Sequence, residues 1–545
     1  MMSRIKRWYQ WAVLHPLKHL VAETVTFWRA AAIWGRGPKR HLFGYGLGLF
    51  LFPSAGCATQ PTPEFTVVAY NVENLFDVDG VALFQDYKQD GAEDPFRYTR
   101  AKLLTKLQNH VAVLQTLNEG AGPEVILFQE FEADFTPEST VGDFDAFLST
   151  HKATTVAQML GADWKPEYAG LPSVAWLLKA MDDAGLSGYS VVTVPSKGLD
   201  SGIAHTCAVF SKFPIVSSKA HELVQARDIL EVQIDVLGHP LWLYTNHWKS
   251  GASNPDREPI RVENARVLRG LLDARLAEDP FADIIVGGDL NSHYNHSILY
   301  PQLETGINDV LGSQGDELAI REIGGPDLYN LWFEIEPEAR YSEVWRGRRG
   351  TLMHLLITRG LYDAHGVHYV DGSFNKLLIP GLNADALGRP LEWNFAGTSG
   401  GGVTDHLPVI ARFSLGEGEA GAYPEIVEPS QGDDSLDYEM RLDYEGALLV
   451  DIPDGSFLNA VADQALGPYM GQLFRVEGVV SGGRALQITF EGVDWSIYSY
   501  DKAQMEQLRE SVVESPDQVW RFIAKLGIWK GKRQFYIEGV LPENQ

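Results

Sequence analysis

Five short clusters of polar residues in this sequence carry groups that bind metal ions or move protons. They span residues 70–77, 127–130, 244–250, 286–292 and 404–409. Each cluster lies at or beside the end of a run of apolar and β-branched residues, which is typical of a strand. Carboxylates and amides bind hard divalent cations, and imidazoles titrate near neutral pH. Gathered in one place, such groups would form a site for metal-assisted acid–base chemistry.

Taken singly, each cluster has an ordinary structural explanation. Asp289 and Asn291 lie in a glycine-rich stretch that is typical of a turn, where such side chains bond their own backbone. A glutamate at a strand end, such as Glu130, is usually solvated, and an adjacent pair such as Asp405 and His406 often makes only a surface hydrogen bond. The order and combination of the five clusters therefore matter more than any one of them.

The elements that must position these clusters alternate between strands and helices. This alternation predicts a layered α/β architecture with polar groups at the strand ends, and it leaves open whether the sheets are parallel. Cys207 lies in an apolar stretch and is predicted to be a buried strand residue. The predicted strands span 65–70, 125–128, 231–236, 241–244, 284–286, 352–358 and 409–413, and the predicted helices span 99–117 and 261–276.

Length and composition limit the function classes. At 545 residues the chain should form two or three folding units. The formal net charge of −27 repels polyanions at long range, so a nucleic acid substrate would need a local basic patch or a divalent metal. With Cys57 and Cys207 as the two cysteines, no disulfide framework beyond that single pair is possible.

The first 57 residues are predicted to be an export signal. A basic region is followed by the apolar run 42–52, which is too short to span a bilayer comfortably, and the segment ends in Ala-Gly-Cys57. This ending resembles a bacterial lipoprotein signal with Cys57 lipidated, although Ser54 stands where leucine is usual. An ordinary cleaved signal and an uncleaved anchor are the alternatives. We expect a short tether at 58–64 and an exported protein, anchored as a lipoprotein in the bacterial periplasm or outer membrane.

The C-terminal part reads as a separate domain. Residues 415–437 are rich in Gly, Glu, Asp, Pro and Ser and are predicted to be an acidic linker. Residues 438–545 are strand-rich, with strands at 473–480, 485–490, 495–500 and 534–538 and a helix at 502–513. A small β-barrel of the oligonucleotide/oligosaccharide-binding (OB) type fits this pattern, as does a plain structural β-domain.

As a set, the five clusters closely resemble the endonuclease/exonuclease/phosphatase superfamily, which includes DNase I-like nucleases, sphingomyelinases and inositol-polyphosphate phosphatases. The resemblance implies a four-layered DNase I-like α/β sandwich over residues 65–414 and a metal-dependent phosphoesterase that uses Mg²⁺, or alternatively Mn²⁺. The implied metal-binding residues are Asn71, Glu73, Glu130 and Asp405, and the implied catalytic residues are His247, Asp289, Asn291 and His406.

The resemblance also assigns roles. Glu130 matches the principal metal ligand, Asp289 the group that activates or orients the attacking water, and Asn291 the amide that donates to a phosphoryl oxygen. His406 matches the histidine that contacts the scissile phosphate, and His247 matches one used for general acid–base work.

One departure concerns the support of the active histidine. Family members usually carry an aspartate where this sequence has Met353. A methionine is too weak an acceptor to orient an imidazole. The alternatives are support from another carboxylate such as Asp363, a modified mechanism, or weakened activity.

The leading functional hypothesis is an exported nuclease that hydrolyses phosphodiester bonds. Lys249, Arg97 and Arg348 are candidates for substrate binding. The alternatives are a phospholipase C, sphingomyelinase-like or phosphomonoesterase activity, and a surface binding protein that has lost turnover. The predicted partners are nucleic acid or another phosphodiester, and the membrane through the lipid anchor, with no protein partner.

Overall fold

The computed structural model describes residues 64–81, 98–136, 140–345, 348–385, 387–395, 397–425, 452–483, 485–529 and 532–541. The predicted export signal, its Cys57 and the predicted substrate contact Arg97 lie outside these described residues. Within them, no helix combines the length and the apolar character that crossing a membrane requires.

Two seven-stranded sheets form the centre of the fold. The first has the strand order β14-β16-β1-β2-β4-β3, with β15 added to β16, and the second has the order β5-β6-β7-β8-β13-β10-β9. In chain order the strands are β1 (Phe65–Leu75), β2 (Val125–Glu132), β3 (Ser190–Thr193), β4 (His205–Ser211), β5 (Ile215–His221), β6 (Ile229–Val236), β7 (His239–His247), β8 (Ile284–Asp289), β9 (Ser313–Gln314), β10 (Leu328–Asn330), β11 (Glu343–Trp345), β12 (Arg348–Gly350), β13 (Met353–Thr358), β14 (His365–Tyr369), β15 (Asn375–Lys376) and β16 (Val409–Glu417).

The sheets pack face to face, and helices cover their outer faces. Alternate residues of both sheets, such as Val67 and Leu127 in the first and Leu243 and Ile285 in the second, form one buried core. Two further cores lie between the sheets and the outer helices. The four-layered α/β sandwich predicted from the sequence is confirmed. The helices are α1 (Arg100–Leu114), α2 (Phe144–His151), α3 (Val156–Met159), α4 (Ser173–Asp183), α5 (Glu258–Glu278), α6 (His296–Leu299) and α7 (Glu317–Arg321).

The central pair of each sheet is parallel. β1 runs parallel to β2, and β7 runs parallel to β8, while their outer neighbours β16, β4, β6 and β13 are antiparallel. The carboxyl ends of parallel neighbours meet at the same edge, so residues that end these strands lie side by side. This edge is where the polar clusters of the sequence meet.

The C-terminal domain is a closed five-stranded barrel with the order β17-β18-β19-β21-β20. A helix, α8, separates β19 from β20, and β19 pairs in parallel with β21. This is the strand order of the OB-type barrel predicted as one of two alternatives. The barrel elements are β17 (Leu473–Gly482), β18 (Leu486–Phe490), β19 (Val493–Tyr498), α8 (Lys502–Glu514), β20 (Val519–Trp529) and β21 (Lys532–Val540).

Two details differ from the sequence-based expectation. The strand β20 was not predicted, although it closes the barrel by pairing with both β17 and β21. The sandwich also extends further than expected, because β16 continues to Glu417 and pairs Leu415 with Val367. The first residues of the predicted 415–437 linker therefore belong to the first sheet, and residues 426–437 lie outside the described part of the chain.

Candidate active site

The predicted site residues of four strands meet at one edge of the sandwich. In the first sheet, Asn71 pairs with Gln129, the residue before Glu130. In the second sheet, His247 lies directly opposite Asp289. Since both pairs end at the same edge, the structure brings Asn71, Glu130, His247 and Asp289 together, as the sequence predicted.

The Asn71 amide joins the two sheets. Its Nδ2 donates to Glu130 Oε1 at 3.0 Å and to Asp289 Oδ2 at 3.2 Å, and its side chain is fully buried. Its Oδ1 accepts the backbone N–H of Glu73 at 2.9 Å. Both amide hydrogens and the oxygen are therefore engaged within the cluster, and Asn71 fixes the separation of the two carboxylates.

The backbone around the site is strained. Glu73, Asn74, Glu130 and Asn291 all have positive φ, at 44°, 53°, 67° and 48°. Left-handed backbone costs a non-glycine residue of order 1–3 kcal/mol, and such residues cluster at functional sites. Glu130 also sits where the pairing of β2 with β4 shifts register, and a bulge of this kind re-aims a side chain. Its carboxylate accepts the Asn74 N–H at 2.9 Å.

Gly288 allows β7 and β8 to approach closely beneath the site. Its φ is +124°, and a Cβ added there would lie 2.1 Å from the Asn246 carbonyl oxygen and 3.0 Å from Gln129 Nε2. A side chain would push apart the strands that carry His247 and Asp289. Glycine at this position is therefore required by the geometry of the site.

His247, Glu130 and Asp289 form a set that suits a divalent cation. His247 Nε2 lies 3.6 Å from Glu130 Oε1 and 3.6 Å from Asp289 Oδ2, and one ligand atom from each residue lies within 4.8 Å of the other two. Burial holds the pKa of His247 well below its usual range, so its ring is neutral and can act as a ligand. Burial by itself would raise the pKa of Glu130, but the surrounding His205, His247 and Arg227 hold it well below its usual range.

The donor set fits a cation better than it fits a closed network of hydrogen bonds. The 3.6 Å separations are too long for direct hydrogen bonds and leave room for an ion or a water. Two carboxylates and a neutral imidazole suit Mn²⁺ as well as Mg²⁺. Glu73 and Asp405, which the sequence also predicted as ligands, are outside this set of three.

Glu73 and Asp405 lie toward another side of the cluster. The Glu73 carboxylate accepts the backbone N–H of Trp393 at 2.7 Å. The Asp405 Oδ1 lies 3.8 Å from His406 Nε2, and its side chain is half-exposed. Burial, and the charges of Glu130, Glu392 and Asp289, raise the pKa of Asp405 to about 6 against the opposing effect of His406. Asp405 is thus partly exposed and coupled by charge to the rest of the cluster.

His406 is a cation surrounded by carboxylates. Its Nε2 lies 3.7 Å from Asp289 Oδ2, and its ring is buried. Burial alone would lower the pKa of His406, but Asp405, Asp289, Glu343 and Glu130 raise it to about 9. It reaches the cluster because β16 begins at Val409, which pairs with Ala69 of β1 at the same edge.

A carboxylate that the sequence analysis did not name, Glu343, acts on the active histidine in place of the acid that is absent at Met353. Met353 lies opposite Asp289 and is buried in the core between the sheets. Asp363, one of the alternatives considered for supporting the active histidine, instead accepts the backbone N–H groups of His365 and Gly421. The neighbouring hairpin of β11 and β12 instead supplies Glu343, whose charge acts on His406. Burial raises the pKa of Glu343 to about 7.

Two cations at the site were missed by the sequence analysis. Arg227 Nη2 lies 2.8 Å from His205 Nδ1, and its charge acts on Glu130, His247 and Asp289. Lys106 is buried on α1, where its Nζ bonds the Glu73 carbonyl and lies 4.8 Å from the Trp393 ring centre. Burial lowers the pKa of Lys106 to about 8. The spacing of the apolar residues in α1 predicts Lys106 on the polar side of the helix, so its burial was not foreseen. Arg227 lies in the loop between β5 and β6 with no pattern around it.

The remaining predicted residues lie around this cluster. Asn291 Nδ2 is 3.4 Å from the Trp248 carbonyl oxygen, and its backbone N–H donates to Asp289 Oδ1 at 2.9 Å. Lys249 follows β7 and is half-buried. Burial, and then the charges of Arg257 and Arg227, lower the pKa of Lys249. Arg348 is exposed on β12.

Comparisons with known proteins agree with this architecture. Residues 187–414 match a family model described as the endonuclease/exonuclease/phosphatase family, and this range includes His247, Asp289, Asn291 and His406. The match supports the superfamily predicted from the sequence. A search of curated proteins finds no match.

Solved structures that align with this chain share little sequence with it. Truncated TDP2 from Caenorhabditis elegans is 12% identical, with a TM-score of 0.35, over 65% of this chain and 98% of that chain. The human Nocturnin catalytic domain with bound sulfate anion is 14% identical, with a TM-score of 0.35, over 65% and 95%. An endonuclease/exonuclease/phosphatase family protein from Leptotrichia buccalis is 11% identical, with a TM-score of 0.37, over 64% and 98%.

Proposed function

We propose that this enzyme, a hydrolase of phosphoric esters with the fold of the endonuclease/exonuclease/phosphatase superfamily, cuts phosphodiester bonds in nucleic acid with the help of a divalent cation. The observation that carries the proposal is the set of Glu130, His247 and Asp289, whose ligand atoms lie within 4.8 Å of one another at the joint edge of the two sheets. We propose Mg²⁺ as the cation and Mn²⁺ as the alternative. When bound, such a cation provides Lewis-acid stabilisation of phosphoryl oxygens.

Asp289 and Asn291 would perform two further functions, which are proton acceptance and hydrogen-bond donation to the phosphoryl group. Asp289 Oδ2 lies 3.6 Å from His247 Nε2 and 3.7 Å from His406 Nε2, and we assign Asp289 to accept a proton from the attacking water. Asn291 is held with its amide at the same edge, where it can donate to a phosphoryl oxygen. An oriented donor of this kind commonly contributes about 3 kcal/mol to transition-state stabilisation.

Two fixed cations offset the charge of the phosphate. His406 keeps its proton up to about pH 9, as its pKa indicates, and lies beside Asp289. The Arg227 guanidinium, which lies 2.8 Å from His205 Nδ1, acts on the carboxylates of Glu130 and Asp289. These two groups provide positive charge at the site itself, although the chain as a whole has a net charge of −27 and repels a polyanionic substrate at long range.

The hairpin of β11 and β12 favours nucleic acid over a lipid head group. Trp345 is 56% exposed and lies directly opposite the exposed Arg348, while Arg349 is held by the Glu338 carbonyl and the Tyr341 ring. An exposed aromatic ring can stack on a base, and an arginine can contact the adjacent phosphate. Glu343 of this hairpin acts on the charge of His406, and Trp345 lies two residues further along the same strand.

The test is a panel of substrates with and without metal. Plasmid DNA, RNA, sphingomyelin and a bis-aryl phosphodiester are incubated with the full chain in Mg²⁺, Mn²⁺ or chelator. We expect metal-dependent cleavage of nucleic acid that is lost in Asp289→Asn and His406→Ala, with circular dichroism unchanged. Cleavage of sphingomyelin alone would establish the lipid alternative, and a folded protein inactive on all four would refute the proposal.

We also propose, from the sequence of residues 1–57, that the protein is exported and anchored through a lipid on Cys57. Labelling cells with a radioactive fatty acid tests this directly. The wild-type protein should carry the label in the membrane fraction, and Cys57→Ser should not. An unlabelled wild-type protein would leave an ordinary signal or an uncleaved anchor as the explanation.

A further inference from the structure

The C-terminal barrel presents a group of tyrosines that the proposed hydrolytic site does not use. Tyr498 ends β19, Tyr500 follows it, and Tyr536 lies on β21. The rings of Tyr500 and Tyr536 are nearly parallel, at 8° and 5.9 Å between centres, and Tyr498 stands edge-on to both at 5.2 and 6.3 Å. Tyr498 and Tyr500 are 42% and 48% exposed. We call these three side chains the tyrosine face.

Strand register places cations beside the tyrosine face. Tyr536 pairs with Tyr498 of β19 on one side and with Lys525 of β20 on the other. Four residues along the same ladder, Trp529 pairs with Lys532. Because side chains alternate along a strand, these residues all point to the outside of the barrel. Aromatic rings and lysines therefore alternate across this surface.

The Tyr536 ring occupies the space that a side chain at Gly527 would fill. A Cβ added at Gly527 would lie 2.4 Å from a carbon of the Tyr536 ring, so the ring lies over the backbone of β20. The ring is thus packed against the barrel wall. A ring positioned in this way loses little conformational freedom when it stacks on a ligand.

Short contacts connect the tyrosine face to the catalytic cluster. Lys525, the neighbour of Tyr536, pairs with Glu392 at 3.2 Å. The next residue, Trp393, donates its backbone N–H to the Glu73 carboxylate, and Glu73 is bonded to Asn71. The face therefore borders the loop that forms one wall of the active site.

We propose that the tyrosine face binds the bases of a single-stranded nucleic acid whose backbone continues into the active site. Tyrosine rings stack on any base, because every base has a π-face. Lys532, which is exposed beside Trp529, is placed to contact a phosphate between the stacked bases. A duplex hides its bases within the stack, so this surface selects an unpaired strand. The inference rests on the proposed function, because the neighbouring phosphodiester chemistry favours an oligonucleotide over an oligosaccharide.

Binding is measured without turnover. Fluorescence anisotropy follows a labelled oligothymidylate strand added to the full chain in chelator. We expect Tyr500→Ala and Tyr536→Ala each to weaken binding about fivefold or more, while the matched Tyr→Phe variants bind like wild type, because stacking on a base is retained. Val513→Ala, an 82% exposed change on α8 of the same barrel, is the control that should have no effect. A labelled duplex should bind more weakly than the strand.

The outcomes separate this inference from the proposed function. Equal affinity of the alanine variants and wild type, or tighter binding of the duplex, would overturn the inference. Binding of a neutral oligosaccharide, lost in the alanine variants, without binding of the strand would overturn it as well. If wild type binds the strand through these tyrosines but hydrolyses no phosphodiester with metal, the proposed function fails while the tyrosine face stands. If turnover occurs, the ratio of rates on the oligonucleotide and a small diester should fall in the alanine variants.

Discussion

Replacing Gly288 by alanine adds one methyl group where the backbone of β8 passes close to that of β7. The added Cβ would lie 2.1 Å from the Asn246 carbonyl oxygen, about 1 Å inside ordinary contact distance, on a residue with φ of +124°. The strand β8 must move away from β7, and Asp289 is the next residue along β8. We therefore expect this variant to lose both stability and activity.

The magnitude follows from two separate costs. A side chain in such a backbone conformation costs about 1–3 kcal/mol, and forcing a methyl group into close-packed surroundings costs about 1–3 kcal/mol. Gly288→Ala should then lower the free energy of unfolding by about 2–6 kcal/mol, a large share of the total of a typical domain. A displacement of about 1 Å at a catalytic carboxylate can lower the rate about a hundredfold.

The assay compares Gly288→Ala with Gly270→Ala, which adds the same methyl group at a site with free space. Gly270→Ala lies in α5, where an added Cβ would meet nothing within 4 Å, and it should stabilise the protein by up to about 1 kcal/mol through helix propensity. Urea unfolding and turnover of a small phosphodiester are measured for both variants. If Gly288→Ala were as stable and active as Gly270→Ala, the close approach of β7 and β8 would not be what positions Asp289.

Three further outcomes are expected. Arg227→Ala should lower kcat/KM for a small diester about tenfold to a hundredfold, with Arg227→Lys in between, and an unchanged value in steady-state kinetics would remove Arg227 from the site. Since the His406 ring has a pKa of about 9 and acts as a cation, the rate should fall as the pH rises through about 9; a fall already below pH 7 would contradict this role. Glu343→Gln removes a carboxylate that raises the pKa of His406, so the same alkaline fall should move to lower pH, and an unmoved profile would exclude Glu343 as its support.

Much of the sandwich was predictable because its strands are buried and its helices amphipathic. The predicted strands at 65–70 and 284–286 lie within β1 and β8, and the helix predicted at 99–117 corresponds to α1, which begins after the capping side chain of Thr99. The parallel pairing of β1 with β2 and of β7 with β8 was not predictable, because a buried run of apolar residues reads the same in either direction.

The missed strand β20 has a specific physical cause. Its pairing with β21 shifts register between Ile523 and Ala524, so three successive residues, Phe522 to Ala524, are buried. A strand is recognised in sequence by alternation of period two, and a bulge breaks that period. The local sequence pattern therefore did not predict β20, although this strand closes the barrel.

The site was predicted in its motif residues and not in its supporting groups. Asn71, Glu130, His247 and Asp289 end their strands, so their meeting follows from the edge that those strands share. Arg227 and Glu343 arrive from a turn and a hairpin far away in sequence. Their proximity depends on tertiary packing, for which a single sequence carries no signal.

A second acidic group provides an internal control for the metal claim. Glu317, Glu334 and Asp371 also have ligand atoms close together. The Tyr362 hydroxyl contacts both glutamates, and burial raises the pKa of Glu334 to about 8, so this group retains a proton at neutral pH. We expect it to favour that proton over a cation.

The central claim is that Glu130, His247 and Asp289 bind the divalent cation. Isothermal titration of Mn²⁺ into the full chain at neutral pH measures this binding for wild type, Glu130→Gln and Glu317→Gln. We predict that Glu130→Gln lowers the affinity at least about tenfold, as the loss of a ligand requires, and that Glu317→Gln leaves it unchanged. Binding that persists in Glu130→Gln and disappears in Glu317→Gln would place the metal elsewhere and contradict the account.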